Sequence, residues 1–385
     1  MHKTIKIRLA GLCILAAIIM LHGCKGGSTG DSADHRDSLT MEESDMLLVP
    51  LDSSTTQVTS YMQLIDDSVL AFFNEPNYDI VLNNLNNGTT TKVTIHRDGP
   101  DAVNGVTGFC YVSPDSIWLY EQWGRDITLI DSNGNKKGHV RMSAINDSLG
   151  NRLKYAVSPY PLTISPYTVK NGIHYLQGMN GRAVEGQIPG STLIYDEKAG
   201  NWKTENAYPS VYGANDEISE WNPFGFRQTQ YTFTPDGEML INYPASDSLY
   251  TYNPMTGEHR TYNAAYSKPT NIHLVKVNSL EESYADYLKQ YCYTSIHYDK
   301  FNDVYYRIIR TPIEDFDITK YRELLQTKPV VIIILNKDFK NIGEYSLPDD
   351  KYNHGNIFIN KNGLHINVVS DDDDFMKFRV FRIKE

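Results

Sequence analysis

The sequence predicts an all-β fold, a six-bladed β-propeller with short helices in the loops of one face, and three observations support this prediction. A unit of two strands joined by a tight turn recurs six times along the chain. A second hairpin follows most copies of the unit. The last copy is one strand short, and a spare strand near the N-terminus can supply it.

Six tight turns mark the repeated unit. Asp, Asn and Gly suit these positions because they tolerate the backbone angles of two-residue hairpins. Each turn is followed by a short strand of alternating or fully apolar residues. The turns are Asp66-Asp67-Ser68, Pro114-Asp115-Ser116, Asn171-Gly172, Pro235-Asp236-Gly237, Asn302-Asp303 and Asn362-Gly363.

The second hairpins have turns at residues 86–88, 131–134, 196–200, 253–257 and 336–340. Four consecutive antiparallel strands make one small sheet, and such a sheet cannot bury both of its faces alone. Packing several sheets around an axis solves this problem, which favours a propeller over isolated hairpins.

The last unit contains strands at 356–359, 364–369 and 377–383 but lacks a fourth strand. The apolar segment 46–51 belongs to no unit. We expect it to pair beside 377–383 and close the ring. Pro50 is tolerated there because an outermost strand has an unpaired edge.

The N-terminus has the three-part order of a bacterial export signal. Lys3, Lys6 and Arg8 precede an apolar run over residues 9–20. A helix that spans a bilayer needs about 20 apolar residues. The shorter run therefore predicts a cleaved signal peptide over residues 1–23.

The residues Leu21-His22-Gly23-Cys24 resemble the lipobox of bacterial lipoproteins, in which a peptidase cuts before a cysteine that carries diacylglycerol. The resemblance implies lipidation of Cys24 and lasting attachment to a membrane, because several acyl chains bury many CH₂ groups. An ordinary secretory signal with a chance cysteine is the alternative.

Residues 24–45 are rich in Gly, Ser and acidic residues and predict a flexible tether, which leaves 46–385 for the propeller. Lys25 follows the lipidated cysteine. By resemblance to the sorting rules of diderm bacteria, this lysine favours the outer membrane of the cell envelope, and the leaflet stays open.

The chain is acidic, with a formal net charge of −11 at pH 7. Cleavage after residue 23 removes three positive charges and no negative ones, so the mature chain carries −14. Such a surface repels nucleic acid and anionic lipid headgroups, and no nucleic-acid partner is expected.

Cys110 and Cys292 are the two cysteines that remain after cleavage and lipidation. They fall in the first strands of blades two and five, on opposite sides of the ring. A disulfide needs Cα atoms within about 7 Å. We expect both thiols to stay unpaired and no thiolate metal site to form.

The lipobox, the blade count and the hairpin at 114–120 followed by 127–134 resemble the six-bladed, TolB-like propeller lipoproteins of gut Bacteroidetes. Within these, the chain is most similar to the domain-of-unknown-function family numbered 4221, over nearly all of the mature chain. The resemblance implies the fold and the envelope compartment. It brings no catalytic residues.

The links between strands differ in length. Links between the second and third strands of a blade, and between blades, are often long, and in a propeller they open on one face. Residues 279–282 have capping-box spacing, and residues 317–326 show a weaker helical pattern. The long links are 141–160, 177–190, 207–227, 264–290 and 310–328.

Seven side chains on or beside the face with the long links are the candidate binding residues. Aromatic rings with nearby arginines suit stacking on sugars, peptides or aromatic ligands. The alternative is that the aromatics fasten loops onto the blades and the arginines satisfy loop carbonyls. The candidates are Trp123, Arg125, Trp221, Phe224, Arg227, Tyr266 and Arg310.

The sequence contains no known catalytic or cofactor-binding motif. Its 11 histidines form no metal-binding pattern, and nucleophile elbows, phosphate-binding loops and dinucleotide fingerprints are missing. The acidic run 371–374 contains enough oxygen ligands for Ca²⁺. Its consecutive carboxylates point apart, which favours a solvated turn. No metal or cofactor is therefore expected, although a hydrolytic triad assembled from separate blades stays open.

These features predict an envelope protein that is attached to a membrane by lipid and binds or scaffolds a glycan, peptide or protein without catalysis. One alternative is a hydrolase, lyase or lactonase with acidic and histidine groups at the channel mouth, because propellers host such reactions. Another alternative is a purely structural envelope component with no pocket on the face that carries the long links.

Overall fold

The computed structural model describes residues 39–122, 126–141, 157–180, 190–213, 217–222, 224–348 and 351–384. These residues form six small antiparallel sheets arranged in a ring. The predicted fold class, a six-bladed β-propeller, is confirmed.

The first three blades follow the order of the chain. Blade 1 consists of β2 (Met62–Ile65), β3 (Val69–Asn74), β4 (Asp79–Asn84) and β5 (Thr90–Thr94). Blade 2 consists of β6 (Val106–Ser113), β7 (Ser116–Glu121), β8 (Asp126–Ile130) and β9 (Lys136–Arg141). Blade 3 consists of β10 (Val157–Pro159), β11 (Thr168–Lys170), β12 (Ile173–Asn180), β13 (Gly190–Asp196) and β14 (Asn201–Ala207).

The remaining blades continue in the same way, except that the last one takes its outermost strand from the N-terminal end. Blade 4 consists of β15 (Gln230–Phe233), β16 (Met239–Asn242), β17 (Ser248–Tyr252) and β18 (His259–Asn263). Blade 5 consists of β19 (Cys292–Asp299), β20 (Val304–Arg310), β21 (Val330–Leu335) and β22 (Asn341–Ser346). Blade 6 consists of β23 (Tyr352–Asn360), β24 (Gly363–Val368), β25 (Phe375–Ile383) and β1 (Met41–Pro50).

The two faces of the ring differ. The face with the turns between first and second strands, and between third and fourth strands, is called the turn face. The six predicted turns lie there, and Asn171 (φ 53°) and Gly172 (φ 75°) have the left-handed backbone that a two-residue hairpin requires. The opposite, loop face carries the long links and the helices α1 (Leu280–Lys289) and α2 (Tyr321–Thr327). Short helices on one face were predicted.

β1 closes the ring as predicted. It pairs antiparallel with β25, with Met46 opposite Arg379 and Pro50 opposite Phe375. The strand begins at Met41 rather than at residue 46, and so includes residues that composition assigned to the tether.

Leu39 extends this closure to the neighbouring blade. Its N–H donates to the carbonyl of Ile342 on β22 at 2.8 Å. Gly343 permits the approach, because a Cβ at this position would lie 1.9 Å from the Leu39 carbonyl oxygen. The N-terminal segment therefore joins blade 5 to blade 6 in addition to completing blade 6.

A segment of blade 3 enters the central channel. The first strand of this blade is divided into β10 and β11, which both pair with β12, and residues 161–167 leave the sheet between them. Leu162 and Ser165 close the excursion as a tight turn. We call residues 161–167 the channel plug.

The channel plug is hydrogen-bonded to three other blades. The Thr163 hydroxyl accepts from the Met62 N–H of blade 1 at 2.9 Å and donates to the Asn356 amide oxygen of blade 6 at 3.0 Å. The Ser165 hydroxyl donates to the Thr229 carbonyl, directly before β15 of blade 4, at 3.0 Å. These contacts give partners to polar groups that burial would otherwise leave unsatisfied.

A row of buried polar side chains holds the last residue of the plug. The Tyr167 N–H donates to the Tyr61 hydroxyl at 2.8 Å, and the Tyr167 hydroxyl lies 2.6 Å from His174 Nδ1. His174 Nε2 lies 2.8 Å from a Glu197 carboxylate oxygen. Burial lowers the pKa of His174, so its ring is neutral. We infer that Nε2–H donates to the carboxylate and that Nδ1 accepts from the phenol.

Cys110 on β6 and Cys292 on β19 are buried free thiols in blades 2 and 5, as predicted. Burial raises the pKa of Cys110 to about 11 and that of Cys292 to about 12. Both thiols therefore stay protonated and unreactive at neutral pH.

Replacing Gly343 with alanine is expected to separate Leu39 from β22, because the new methyl group would overlap the Leu39 carbonyl. The free energy of unfolding in urea should fall by about 1–3 kcal/mol. Gly138→Ala on β9 is the matched control, since its Cβ would meet Leu129 at an ordinary 3.6 Å. Equal stability of the two variants would contradict a role for this contact.

Candidate functional site

The start of α1 follows from its local sequence. The Ser279 hydroxyl accepts the N–H of Glu282 at 3.1 Å, and the Glu282 carboxylate accepts the N–H of Asn278 at 2.7 Å. This reciprocal arrangement resembles a capping box. Glu281 near the start and Lys289 at the end complement the helix dipole. The helix predicted here is confirmed.

The second predicted helix is also present but begins with a 3₁₀ turn over Ile318–Lys320. The Asp317 carboxylate caps this turn by accepting the N–H of Thr319 at 3.0 Å. α2 follows directly from Tyr321. Together the two helices form an ordered layer on the loop face of blade 5.

Two buried basic side chains fasten this helical layer to the blade. Lys328 Nζ donates to the carbonyls of Tyr287 and Gln290 at the C-terminal end of α1, the latter at 2.6 Å. Arg310, the last residue of β20, donates to the carbonyls of Leu325 and Lys328 at 3.0 and 2.8 Å. The last carbonyls of a helix lack intrahelical partners and carry the negative end of its dipole, so they stabilise buried positive charge.

The electrostatics of this cluster are set by burial. Burial lowers the pKa of Lys328 to about 7, below its usual value near 10.5. The Arg310 guanidinium lies 2.6 Å from His354 Nδ1, and burial holds the pKa of His354 well below its ordinary value. The neutral imidazole therefore adds no positive charge beside Arg310 and Lys328.

A row of half-buried aromatic side chains crosses the helical layer. Phe224 packs edge to face on Tyr284, with ring centroids 4.9 Å apart, and Tyr284 stacks on Tyr321 at 4.5 Å with an interplanar angle of 10°. Arg322 Nε donates to the Tyr321 hydroxyl at 3.2 Å. We call Phe224, Tyr284, Tyr321 and Arg322 the aromatic ladder. Flat apolar rings beside a fixed donor suit stacking on a sugar or a planar side chain.

A groove of about 590 Å³ lies along another side of α1. Ala285 and Phe316 supply apolar surface in it. Four carboxylates against one ammonium give the groove a negative potential, which favours a neutral or cationic partner. The charged lining residues are Glu281, Glu282, Glu314, Asp315 and Lys289.

The structure places the binding residues predicted from sequence in different environments. Phe224 belongs to the aromatic ladder. Trp221 is 3 % exposed and donates from Nε1 to the Tyr212 carbonyl at 3.1 Å, which fastens the link before β15. Tyr266 is also buried, and its N–H donates to Tyr293. Trp221, Tyr266 and Arg310 therefore have the contacts expected if the aromatics fasten loops onto the blades and the arginines satisfy loop carbonyls.

Arg227, the remaining candidate among the described residues, is not part of the aromatic ladder. Arg227 is half-buried, burial lowers the pKa of its guanidinium, and its carbonyl accepts the Tyr208 hydroxyl at 2.5 Å. Trp123, Arg125 and the predicted lipidation site Cys24 lie outside the described residues. The binding role of the seven candidates stays a prediction.

Tyr284, Tyr321 and Arg322 are missing from the sequence-based candidates. Their helices were predictable from the capping residues at 279–282 and 317. The stacking of one helix on the other was not, because it depends on a contact between links that are separated by the whole of β19 and β20.

Within the described ranges, no three His, Cys, Asp or Glu side chains are grouped so that they could hold a metal ion. In the acidic run, Asp372 pairs with Lys377 at 2.7 Å. No helix of these ranges is long and apolar enough to cross a bilayer. The enzymatic alternative stays untested.

Replacing Lys328 with methionine should lower the free energy of unfolding by about 1–3 kcal/mol, because two helix carbonyls lose their donor. It should also change the pH dependence. The wild-type amine is neutral when folded and protonated when unfolded between pH 7 and 10.5, so folding releases a proton and stability rises with pH in this window.

Urea unfolding at pH 7 and pH 9 measures both effects. The gain in stability from pH 7 to pH 9 should be larger in the wild type than in Lys328→Met by about 2 kcal/mol. Lys289→Met at the exposed end of α1 is the control and should keep the wild-type slope. If the stability of Lys328→Met rose with pH as steeply as that of the wild type, the lowered pKa of Lys328 would be contradicted.

Comparison with solved structures finds the same fold in Bacteroides proteins. A DUF4221 family member from Bacteroides vulgatus matches with a TM-score of 0.76 at 20% identity, over 90% of this chain and 99% of that chain. A Bacteroides fragilis protein matches with a TM-score of 0.55 at 10% identity, over 90% and 96% of the two chains. A search of curated proteins gave no match.

The family model described as "Domain of unknown function (DUF4221)" matches residues 38–346. This range covers most of the propeller, from the residue before Leu39 to the end of β22. The chain therefore belongs to the DUF4221 family.

Proposed function

We propose that this protein is a lipoprotein of the bacterial cell envelope, attached to the outer membrane through Cys24, and that its loop face binds a glycan, peptide or protein partner. The aromatic ladder is the observation that carries the proposal. Binding, rather than catalysis, is the proposed activity.

The aromatic ladder supports binding because it is ordered before a partner arrives. Tyr284 and Tyr321 are stacked, and both retain exposed surface. Hydrogen bonds from the buried Arg310 and Lys328 hold the helices that carry these two tyrosines. A surface that is already rigid loses little conformational entropy on binding, which favours affinity.

Charge narrows the class of partner. The mature chain is expected to carry −14, and the groove beside α1 is lined by four carboxylates and one ammonium. An anionic partner would be repelled by this surface. A neutral glycan, or a peptide segment with basic and aromatic residues, is complementary to it.

The direction of β1 supports an orientation relative to the membrane. The strand begins at the turn face, where the Lys384 N–H donates to the Thr40 carbonyl at 2.9 Å, and ends at the loop face. Its 10 residues cover about 33 Å. A lipid on Cys24 would thus be joined to the propeller at the turn face, and the loop face would point away from the bilayer.

Partner capture from detergent-solubilised envelope and on a glycan array tests the proposed site. Tyr284→Ala with Tyr321→Ala, and separately Arg322→Ala, should lower capture at least about ten-fold, which corresponds to the loss of one stacking or charged contact. Phe301→Ala, an exposed aromatic (43 %) on the turn face, is the matched control. If all variants kept their thermal stability and captured the partner equally well, the aromatic ladder would be excluded as the binding site.

Energy transfer from a single fluorophore to labelled lipid headgroups tests the orientation in reconstituted vesicles. The buried thiols of Cys110 and Cys292 leave an introduced cysteine as the reactive one. Met255→Cys on the turn face should show stronger transfer than Leu280→Cys on the loop face, since the native side chains are 92 % and 64 % exposed.

The two possible failures of this experiment are distinguishable. Equal or reversed transfer would contradict the orientation while leaving the lipid anchor in place. Loss of vesicle association should occur only in Cys24→Ala, and a wild-type protein that remains in solution would contradict the anchor itself.

A further inference from the structure

The turn-face side of the channel contains a cavity that the proposed function does not use. It has a volume of about 320 Å³. The channel plug contributes Thr163, Ile164 and Pro166 to it, and the first strands of blades 3, 4 and 5 supply the other lining residues. We call it the turn-face cavity.

The charge of the turn-face cavity is opposite to that of the chain. Lys170 lines it, and no Asp or Glu is among the described residues that do so. Its ammonium lies 3.6 Å from the centre of the Phe233 ring, and no ion pair of Lys170 is found in the described part of the chain. By contrast, Lys203 on β14 of the same blade pairs with Glu205, and Lys300 next to β19 of blade 5 pairs with Asp67. The chain has 47 acidic and 36 basic residues, so a cavity with this lining is unusual for it.

Two polar side chains of the lining, Lys170 and His297, can donate a hydrogen bond to a ligand. His297 Nε2 is buried without a hydrogen-bond partner among the described residues. Burial lowers the pKa of His297 to about 4, so the ring is neutral and carries one N–H at pH 7. The Thr168 hydroxyl is already used within the lining, because the single hydrogen of the Tyr231 hydroxyl is donated to the Pro166 carbonyl at 2.7 Å and Thr168 therefore donates to the Tyr231 oxygen at 2.9 Å.

The volume of the cavity and its apolar side chains limit the size and the polarity of a ligand that could bind there. At about 30 Å³ per water molecule, the cavity holds about ten waters or one compact organic molecule. Phe233, Ile296 and Ile164 supply apolar surface beside the ammonium. A single ammonium suits one carboxylate, whereas phosphate groups are usually held by several cations or by arginine forks.

We propose that the turn-face cavity binds a small organic monocarboxylate, with the carboxylate at Lys170 and the carbon skeleton on the apolar side chains of the lining. This site is independent of the loop face, because the channel plug lies between them. The binding of a partner at the aromatic ladder and the binding of a carboxylate here can therefore succeed or fail separately.

Isothermal titration with benzoate, and with the uncharged isostere benzamide, tests the proposal on the folded full-length chain. Benzoate should bind the wild type at least about ten-fold more tightly than benzamide, since only benzoate pairs with the ammonium. Lys170→Met should abolish this difference. Lys198→Met, an exposed lysine on the same face of blade 3, should leave it unchanged.

A second variant and a second anion complete the test. His297→Gln keeps a donor in the cavity and should weaken benzoate binding less than Lys170→Met does. The proposal is overturned if benzoate fails to bind the wild type at tens of millimolar, if benzamide binds equally well, or if Lys170→Met binds benzoate like the wild type. Tighter binding of inorganic phosphate than of benzoate would reject the carboxylate class.

Discussion

The pairing of β1 with β25 is the contact on which the ring depends. Each blade is too small to bury both of its faces, so every blade needs a neighbour on each side. Val49 of β1 and Phe378 of β25 belong to one buried cluster with Phe72 of blade 1. The closing strand therefore completes blade 6 and also covers its seam with blade 1. Because the two ends of the propeller meet in one sheet, the ring cannot open without breaking these bonds.

The channel plug is the second constraint on the structure, because it separates the turn-face side of the channel from the loop-face side. Thr163 and Ser165 bind the first strands, or the residues next to them, in blades 1, 4 and 6. Gly108 of blade 2 lacks a side chain where a Cβ would lie 2.5 Å from Pro161. A small-molecule cavity on the turn face and a binding surface on the loop face can therefore coexist in one chain without sharing residues.

The loop face is held in place by two basic side chains that are buried beneath it. Lys328 and Arg310 are almost fully buried, and their donors are directed mainly at main-chain carbonyls rather than at carboxylates. Burying a polar or charged group without partners is costly, and the carbonyls at the C-terminal ends of two helices offset that cost by accepting hydrogen bonds. The result is that long links behave as parts of the scaffold, which is the condition for presenting an ordered row of aromatic rings.

Local patterns in the sequence determined the all-β class, the six hairpin turns, the closing strand and the position of both helices. These features depend on residues that are neighbours along the chain, such as Asn171 with Gly172 or Ser279 with Glu282, so their physical cause is visible without a structure. Tertiary structure alone decided that Arg310 and Trp221 are buried, that Tyr284 stacks on Tyr321, and that residues 161–167 enter the channel. Each of these outcomes depends on a partner far away in sequence, and an arginine or tyrosine has the same local pattern whether that partner covers it or leaves it exposed.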